Sequence, residues 1–172
     1  MAGDVRGVTV LEVGGGVGAI ELELLAAGAE RTTNVELAAT YEDEAAELAR
    51  ERHVEHRVQR RVGDFVAEAA ELEPHDVVVM HRVVCCYPDA DAMIGAGADR
   101  ARVRLLLTYP QDRWLLRMGV VVVNALLRLR GSTFQVYVHR RAQIDAVAGA
   151  HGLALAHRRR HGLLWESAAF GR

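Results

Sequence analysis

Lysine is absent from this sequence of 172 residues, and all 21 basic residues are arginines. A lysine nucleophile, a Schiff base and the lysine of a phosphate-binding P-loop are therefore excluded. Cysteine is almost absent as well, since only the neighbours Cys85 and Cys86 occur. Two adjacent cysteines exclude a disulfide framework and a four-cysteine zinc site. We expect both to be small buried hydrophobic side chains, and we predict no metal site.

Long apolar runs are also missing. Even the valine-rich run at residues 118–123 is far shorter than the roughly 20 residues of a membrane span. The first ten residues lack the pattern of a signal peptide, so a cytoplasmic location is expected. The length and a hydrophobic content of 51% favour a single globular domain over residues 1–172.

Charge is unevenly distributed, although the net charge is only −2. Residues 1–86 carry 17 acidic and 8 basic side chains, whereas residues 87–172 carry 6 acidic and 13 basic ones. The basic run His157–His161 falls in a predicted strand, where successive side chains point to opposite faces. No continuous stripe of positive charge results, so no nucleic-acid partner is predicted.

The hydrophobic pattern alternates between short apolar runs and segments with helical spacing. This alternation predicts an α/β fold, a Rossmann-like doubly wound sheet of seven mostly parallel strands. The last two strands form an antiparallel hairpin with a turn near Gly162. Strands are predicted at residues 8–13, 32–36, 58–62, 76–81 and 103–108 and twice in the tail, and helices at residues 19–27, 40–52, 65–72, 89–101 and 142–150.

An insert over residues 111–139 follows the fifth strand and contains a predicted helix, residues 113–130, before a possible strand over residues 134–139. Arg113, Arg117, Asn124 and Arg128 form one polar stripe on this helix, and nearly all the rest is apolar. So wide an apolar surface must be buried. It could pack on the domain core or on a homodimer partner, or it could form a lid over an apolar substrate or lie at a membrane surface.

A glycine-rich loop, Glu12–Gly18, joins the first strand to the first helix. Gly14, Gly16 and Ala19 formally satisfy a dinucleotide-binding fingerprint. Glu12, however, precedes the first glycine by two residues, where it would repel a pyrophosphate but could accept a hydrogen bond from an ammonium group.

The spacing of Glu12, Gly14, Gly16 and Gly18 resembles motif I of class I S-adenosylmethionine-dependent methyltransferases. The resemblance implies that these residues and Gly15 bind S-adenosylmethionine, with S-adenosylhomocysteine as the product. The same family implies a helical segment before the first strand, which is not recognisable here.

Two further strand ends match the same family. The resemblance assigns Glu36 to the ribose hydroxyls and the following Leu37 to the adenine ring. It assigns Asp64 to the adenine amine and Phe65 to the flank of the ring. Without a ligand, Glu36 and Asp64 would simply cap the helices that follow them.

The end of the fourth strand, His81-Arg82, would line the methionine end of the cofactor. Tyr87-Pro88 gives a weaker similarity to magnesium-protoporphyrin methyltransferases, in which a histidine tends to stand where this chain has Cys86.

Methyl transfer from a sulfonium is an in-line displacement, in which positioning can supply much of the catalysis. His81 and His139 are candidate bases, and Tyr87 could orient a substrate oxygen; each could equally be structural. The predicted function is methyl transfer to a small, apolar or acidic molecule. The alternatives are an inactive S-adenosylmethionine-binding module and, more distantly, an NAD-dependent oxidoreductase.

Overall fold

The computed structural model describes residues 5–172 and contains one mixed sheet of seven strands in the order β3-β2-β1-β4-β5-β7-β6. The strands are β1 (Thr9–Val13), β2 (Arg31–Glu36), β3 (Val58–Val62), β4 (His75–His81), β5 (Ala101–Pro110), β6 (Ala154–His161) and β7 (Trp165–Gly171). The helices are α1 (Ala19–Ala26), α2 (Glu42–Glu51), α3 (Phe65–Glu68), α4 (Ala90–Arg100), α5 (Trp114–Leu129) and α6 (Arg141–Ala150). Strands β1 to β5 pair in parallel, and β7 pairs antiparallel with both β5 and β6. The predicted fold class is confirmed.

The central strands are apolar because both faces of the sheet are covered. Val10 and Val77 contribute to a core cluster on one side, while their neighbours Leu11 and Val78 contribute to the larger cluster on the other. Successive side chains of a strand point to opposite faces of the sheet, and here both faces are buried. These strands are therefore continuously hydrophobic instead of alternating between apolar and polar residues.

The sheet order reverses at β1, which lies between β2 and β4. The connections from β1 and from β4 therefore leave in opposite directions and open a crevice at the carboxyl ends of these strands. The glycine loop follows β1 directly, so it lies at this crevice.

The segment between α5 and α6 corrects one prediction. Residues 134–139 form no strand and add none to the sheet. The side chain of Asn124 pairs with them instead: its Nδ2 donates to the carbonyl of Val136 at 2.8 Å, and its Oδ1 accepts from the Val136 N–H at 2.9 Å. Tyr137 N–H donates to the carbonyl of Cys85, which ties the segment to the loop after β4.

Helix α5 is one residue shorter at each end than the predicted helix, and its apolar surface is not packed on the domain core. The polar stripe faces the protein instead, with Arg117 bonded to Asp112 and Arg128 to Gln135. Arg113 lies just before the helix, in an extended conformation. Of the arrangements considered for the apolar face, packing on the domain core is therefore wrong. No helix within residues 5–172 is both long enough and apolar enough to cross a membrane.

Candidate functional site

A cavity of about 590 Å³ opens at the carboxyl ends of β1, β2, β3 and β4. The end of each strand, or the loop that follows it, contributes predicted site residues to the cavity wall. Those that line it are Gly14, Gly16, Glu36, Leu37, Asp64, Phe65, Arg82 and Tyr87. The remaining predicted residues, Glu12, Gly15, Gly18, His81 and His139, are not part of the wall.

The glycine loop presents bare backbone to the cavity. Gly16 has a φ of +57°, in the left-handed region that favours glycine, and a Cβ atom built on it would meet nothing within 4 Å. Its N–H donates to Oε2 of Glu36 at 2.9 Å. The loop is thus held open toward the cavity by a side chain from β2.

Glu36 is fixed on both oxygens. Its second oxygen, Oε1, accepts the N–H of Ala38 at 2.9 Å, and the side chain remains at the cavity wall. A carboxylate oxygen has two lone pairs, so each oxygen can accept one further hydrogen bond. The side chain can therefore receive a pair of hydroxyl groups without releasing the loop.

Glu12 lies beneath the glycine loop and not at the cavity wall, where it was expected to accept a hydrogen bond from an ammonium group of the ligand. It is 2% exposed, and its Oε2 accepts the N–H of Glu21 at 3.0 Å. A Cβ on Gly15 would come within 2.7 Å of the Glu12 carboxyl carbon, so the loop folds directly over this group. Burial, followed by the charge of Glu21, raises the pKa of Glu12 from 4.5 to about 8.

A buried ion pair under the loop was not anticipated from the sequence. Arg60 of β3 donates to Oε1 of Glu21 at 2.9 Å and to the carbonyl of Gly16 at 2.7 Å. The same guanidinium binds Glu42 at the start of α2. The sequence does contain a signal for this ion pair. Arg60 lies in a predicted strand and Glu21 lies among the apolar residues of α1, and a charged residue that is buried in such a pattern needs a partner.

Asp64 caps α3 through Oδ1, which accepts the N–H of Val66 at 2.9 Å. Its Oδ2 remains at the cavity and accepts from the Tyr87 hydroxyl at 3.4 Å. Burial and the nearby Asp64 charge raise the pKa of Tyr87. Beside them, Phe65 is buried whereas Leu37 is exposed. The Phe65 side chain is therefore packed in the protein, while the Leu37 side chain at the cavity wall is open to solvent.

His81 is exposed at the end of β4 and lies outside the cavity wall. Partial burial, then the charges of Arg82 and His161, lower its pKa, so the imidazole is neutral at pH 7. Arg82 lies at the wall with a φ of +58°, and its guanidinium stacks 4.6 Å above the centre of the Trp165 ring.

His139 holds the loop after β4 in place. Its Nε2 lies 3.1 Å from the carbonyls of both Val84 and Tyr87, and two carbonyl acceptors require that this nitrogen donate. The ring also stacks on Tyr137. Nε2 is therefore engaged in supporting the loop that carries Tyr87 and is not free to act as a base.

The two cysteines differ from each other. Cys85 is buried as expected, but Cys86 is exposed and lines the cavity. A hydrogen bond from the Cys85 thiol lowers the pKa of Cys86 to about 7. Several apolar side chains of the wall were not predicted from the sequence, among them Tyr41, Met93 and Phe134, the last from the irregular segment after α5. Within residues 5–172 no cluster of three metal-binding side chains occurs.

The fold is that of S-adenosylmethionine-dependent methyltransferases. A magnesium protoporphyrin IX methyltransferase from Synechocystis PCC 6803, solved with bound S-adenosylhomocysteine, superimposes with a TM-score of 0.77 at 24% identity, over 99% of this chain and 76% of that one. A putative sarcosine dimethylglycine methyltransferase from Galdieria sulphuraria gives a TM-score of 0.77 at 13% identity, over 99% of this chain and 81% of that one.

A putative RNA methyltransferase from Pyrococcus horikoshii has the same fold, with a TM-score of 0.68 at 17% identity, over 99% of this chain and 78% of that one. No family model matches the sequence. No curated protein matches it either. The similarity is therefore one of architecture, shared with enzymes named for quite different substrates.

Proposed function

We propose that the chain is an S-adenosylmethionine-dependent methyltransferase acting on a small molecule. The observation that carries the proposal is that Gly16 and Glu36 meet at one cavity. There the glycine backbone lies beside a carboxylate whose oxygens can each accept one further hydrogen bond. A solved structure with the same fold contains S-adenosylhomocysteine.

The residues of the cavity wall fit the parts of this cofactor. Glu36 would accept from the two ribose hydroxyls, a bidentate arrangement that suits a carboxylate. Leu37 and Phe65 would flank the adenine ring, and Asp64 Oδ2 would accept from its amine. A side chain on Gly16 would project into the open space of the cavity, which is space that the cofactor needs.

Bound S-adenosylmethionine supplies an electrophilic methyl group on a positively charged sulfur. The chain then has to orient the acceptor in line and keep water away. Arg82 and Tyr87 lie on the side of the cavity toward β4, where an acidic or hydroxyl-bearing acceptor could be held.

Calorimetric titration separates this function from the two other predicted ones. We expect heat of binding with S-adenosylmethionine and S-adenosylhomocysteine and none with NAD. The control is Gly16→Val, which should remain folded by circular dichroism but lose the binding heat. Saturable binding of NAD alone would contradict the proposal. The chain could also bind S-adenosylmethionine and S-adenosylhomocysteine but methylate no acceptor in a screen of small acids and alcohols. That result would identify it as a binding module and not an enzyme.

A further inference from the structure

Helix α5 carries an apolar face that nothing within residues 5–172 covers. At 100° per residue its members span about 140° of the helix, and all are exposed, from 52% at Leu126 to 84% at Leu129. We call this surface the outer face; it consists of Trp114, Leu115, Met118, Val121, Val122, Leu126 and Leu129.

The opposite side of the helix makes the contacts with the protein. Arg117 binds Asp112, and Asn124 pairs with the backbone of Val136. Leu116 and Leu127 are half-buried on this inner side. The orientation is therefore fixed by polar contacts, and the outer face cannot turn inward without breaking them.

The apolar surface extends beyond the helix to the turn at the same end of the sheet. The turn between β6 and β7 carries the exposed Leu163 and Leu164, and the carbonyl of Leu164 accepts the N–H of Gln111 at 2.8 Å, three residues before Trp114. Phe134, just beyond the helix, is half-exposed and lines the candidate site. The apolar surface thus adjoins the mouth of the cavity.

The surroundings of the outer face are positively charged. Residues 111–141 contain six arginines and a single acidic residue, Asp112, which Arg117 already binds. Arg113, Arg130 and Arg140 form no ion pair with any residue in the described part of the chain. An apolar helix face with unpaired arginines at both of its ends matches a surface that combines hydrocarbon with negative charge.

We propose that the outer face of α5 docks on the surface of an anionic lipid bilayer, with the helix lying in the headgroup region and the cavity mouth beside the lipid. A second copy of the chain fits this face less well, because two surfaces with an excess of arginine would repel each other. The inference does not depend on methyl transfer, since membrane binding is measured without cofactor or acceptor.

Co-sedimentation with vesicles tests the proposal. We expect the protein to sediment with vesicles of equal parts phosphatidylglycerol and phosphatidylcholine, and to stay in the supernatant with phosphatidylcholine alone. Met118→Glu combined with Val122→Glu places two acids on the outer face and should reduce the bound fraction at least tenfold. The matched control is Val103→Glu, at an exposed valine near the opposite end of β5, and it should bind like the original chain.

Two readouts cover the case in which the double variant fails to fold. Trp114 fluorescence should shift to the blue on addition of anionic vesicles, and Trp114→Phe should lose this shift while Trp165 still emits. Arg113→Gln with Arg130→Gln should weaken binding without altering the apolar face. The proposal is overturned if the original chain does not sediment with anionic vesicles. It is equally overturned if light scattering shows a dimer that the double variant converts to monomer, since the face would then join two copies.

Discussion

Three glutamates lie close to the glycine loop, and each meets a different environment. Glu36 reaches the cavity and holds Gly16. Glu12 is buried beneath the loop, where its burial and the charge of Glu21 favour the protonated form of the carboxyl group. Glu21 keeps Arg60 as its partner. The residues that bind and those that support the loop can therefore be separated by single substitutions.

Glu36→Ala should weaken binding of S-adenosylhomocysteine at least tenfold. Each lost hydrogen bond to a charged group contributes about 1.5–3 kcal/mol, and the Gly16 N–H also loses its acceptor. Calorimetric titration measures the change in affinity. Glu47→Ala, an exposed glutamate of α2, is the control and should bind normally. Equal affinities for the two variants would refute the ribose assignment.

Arg60→Met should lower the free energy of unfolding by about 3 kcal/mol, because it leaves Glu21 buried without its cation. It also removes the donor to the Gly16 carbonyl, so cofactor affinity should fall as well. Urea denaturation gives the stability. Arg61→Met, the next residue of β3, forms no ion pair in the described chain and should cost less than 1 kcal/mol. If both substitutions cost the same, the buried pair does not support the loop.

Glu12 should make stability depend on pH. Its pKa is about 8 in the folded protein against 4.5 in the unfolded chain, so the folded state holds the proton more tightly. Unfolding then releases a proton between these values, and the free energy of unfolding falls as pH rises through them, by about 1.4 kcal/mol per pH unit. Glu12→Gln has no proton to release and should show a flatter profile in urea denaturation. A profile for Glu12→Gln that runs parallel to that of the original chain would show that Glu12 is ionised throughout.

At the scale of elements, α5 and the irregular segment after it form one unit. Asn124 pairs with the backbone of Val136, and Phe134 from the same segment reaches the cavity. His139 then fastens the far end of the segment to the loop after β4. The contacts of α5 thus influence the shape of the candidate site.

Asn124→Ala should loosen this segment without unfolding the domain. It removes two hydrogen bonds worth about 1 kcal/mol each, so the Val136 amide should exchange its hydrogen at least tenfold faster. Hydrogen exchange by mass spectrometry measures this rate over residues 132–140. Thr133→Ala, an exposed position of the same segment, should leave exchange unchanged. Equal protection in both variants would mean that other contacts hold the segment.

Most elements could be predicted from the sequence because their signals are local. Apolar runs such as residues 76–81 specify buried strands, and strand-end acids such as Glu36 and Asp64 are placed by the strands themselves. The orientation of α5 could not be predicted, because it depends on the pairing of Asn124 with a segment that has no regular structure. The burial of Glu12 was missed for a similar reason, since it depends on how Gly15 folds over the carboxyl group.

At the scale of the whole molecule, the chain divides into an acidic and a basic half that meet at the cavity. Strands β1 to β4 and the glycine loop belong to residues 1–86, in which acidic side chains exceed basic ones by nine. Helix α5 and the terminal hairpin belong to residues 87–172, in which basic side chains exceed acidic ones by seven. This polarity agrees with the two proposals, a cationic cofactor on the acidic side and an anionic surface or acceptor on the basic side.

A crystal structure of the chain grown with S-adenosylhomocysteine would test the proposed cofactor site most directly. We expect ligand density in the cavity, with the ribose hydroxyls within hydrogen-bond distance of Glu36 and the adenine between Leu37 and Phe65. Density at any other place, or a ribose turned away from Glu36, would contradict the assignment of this cavity as the cofactor site.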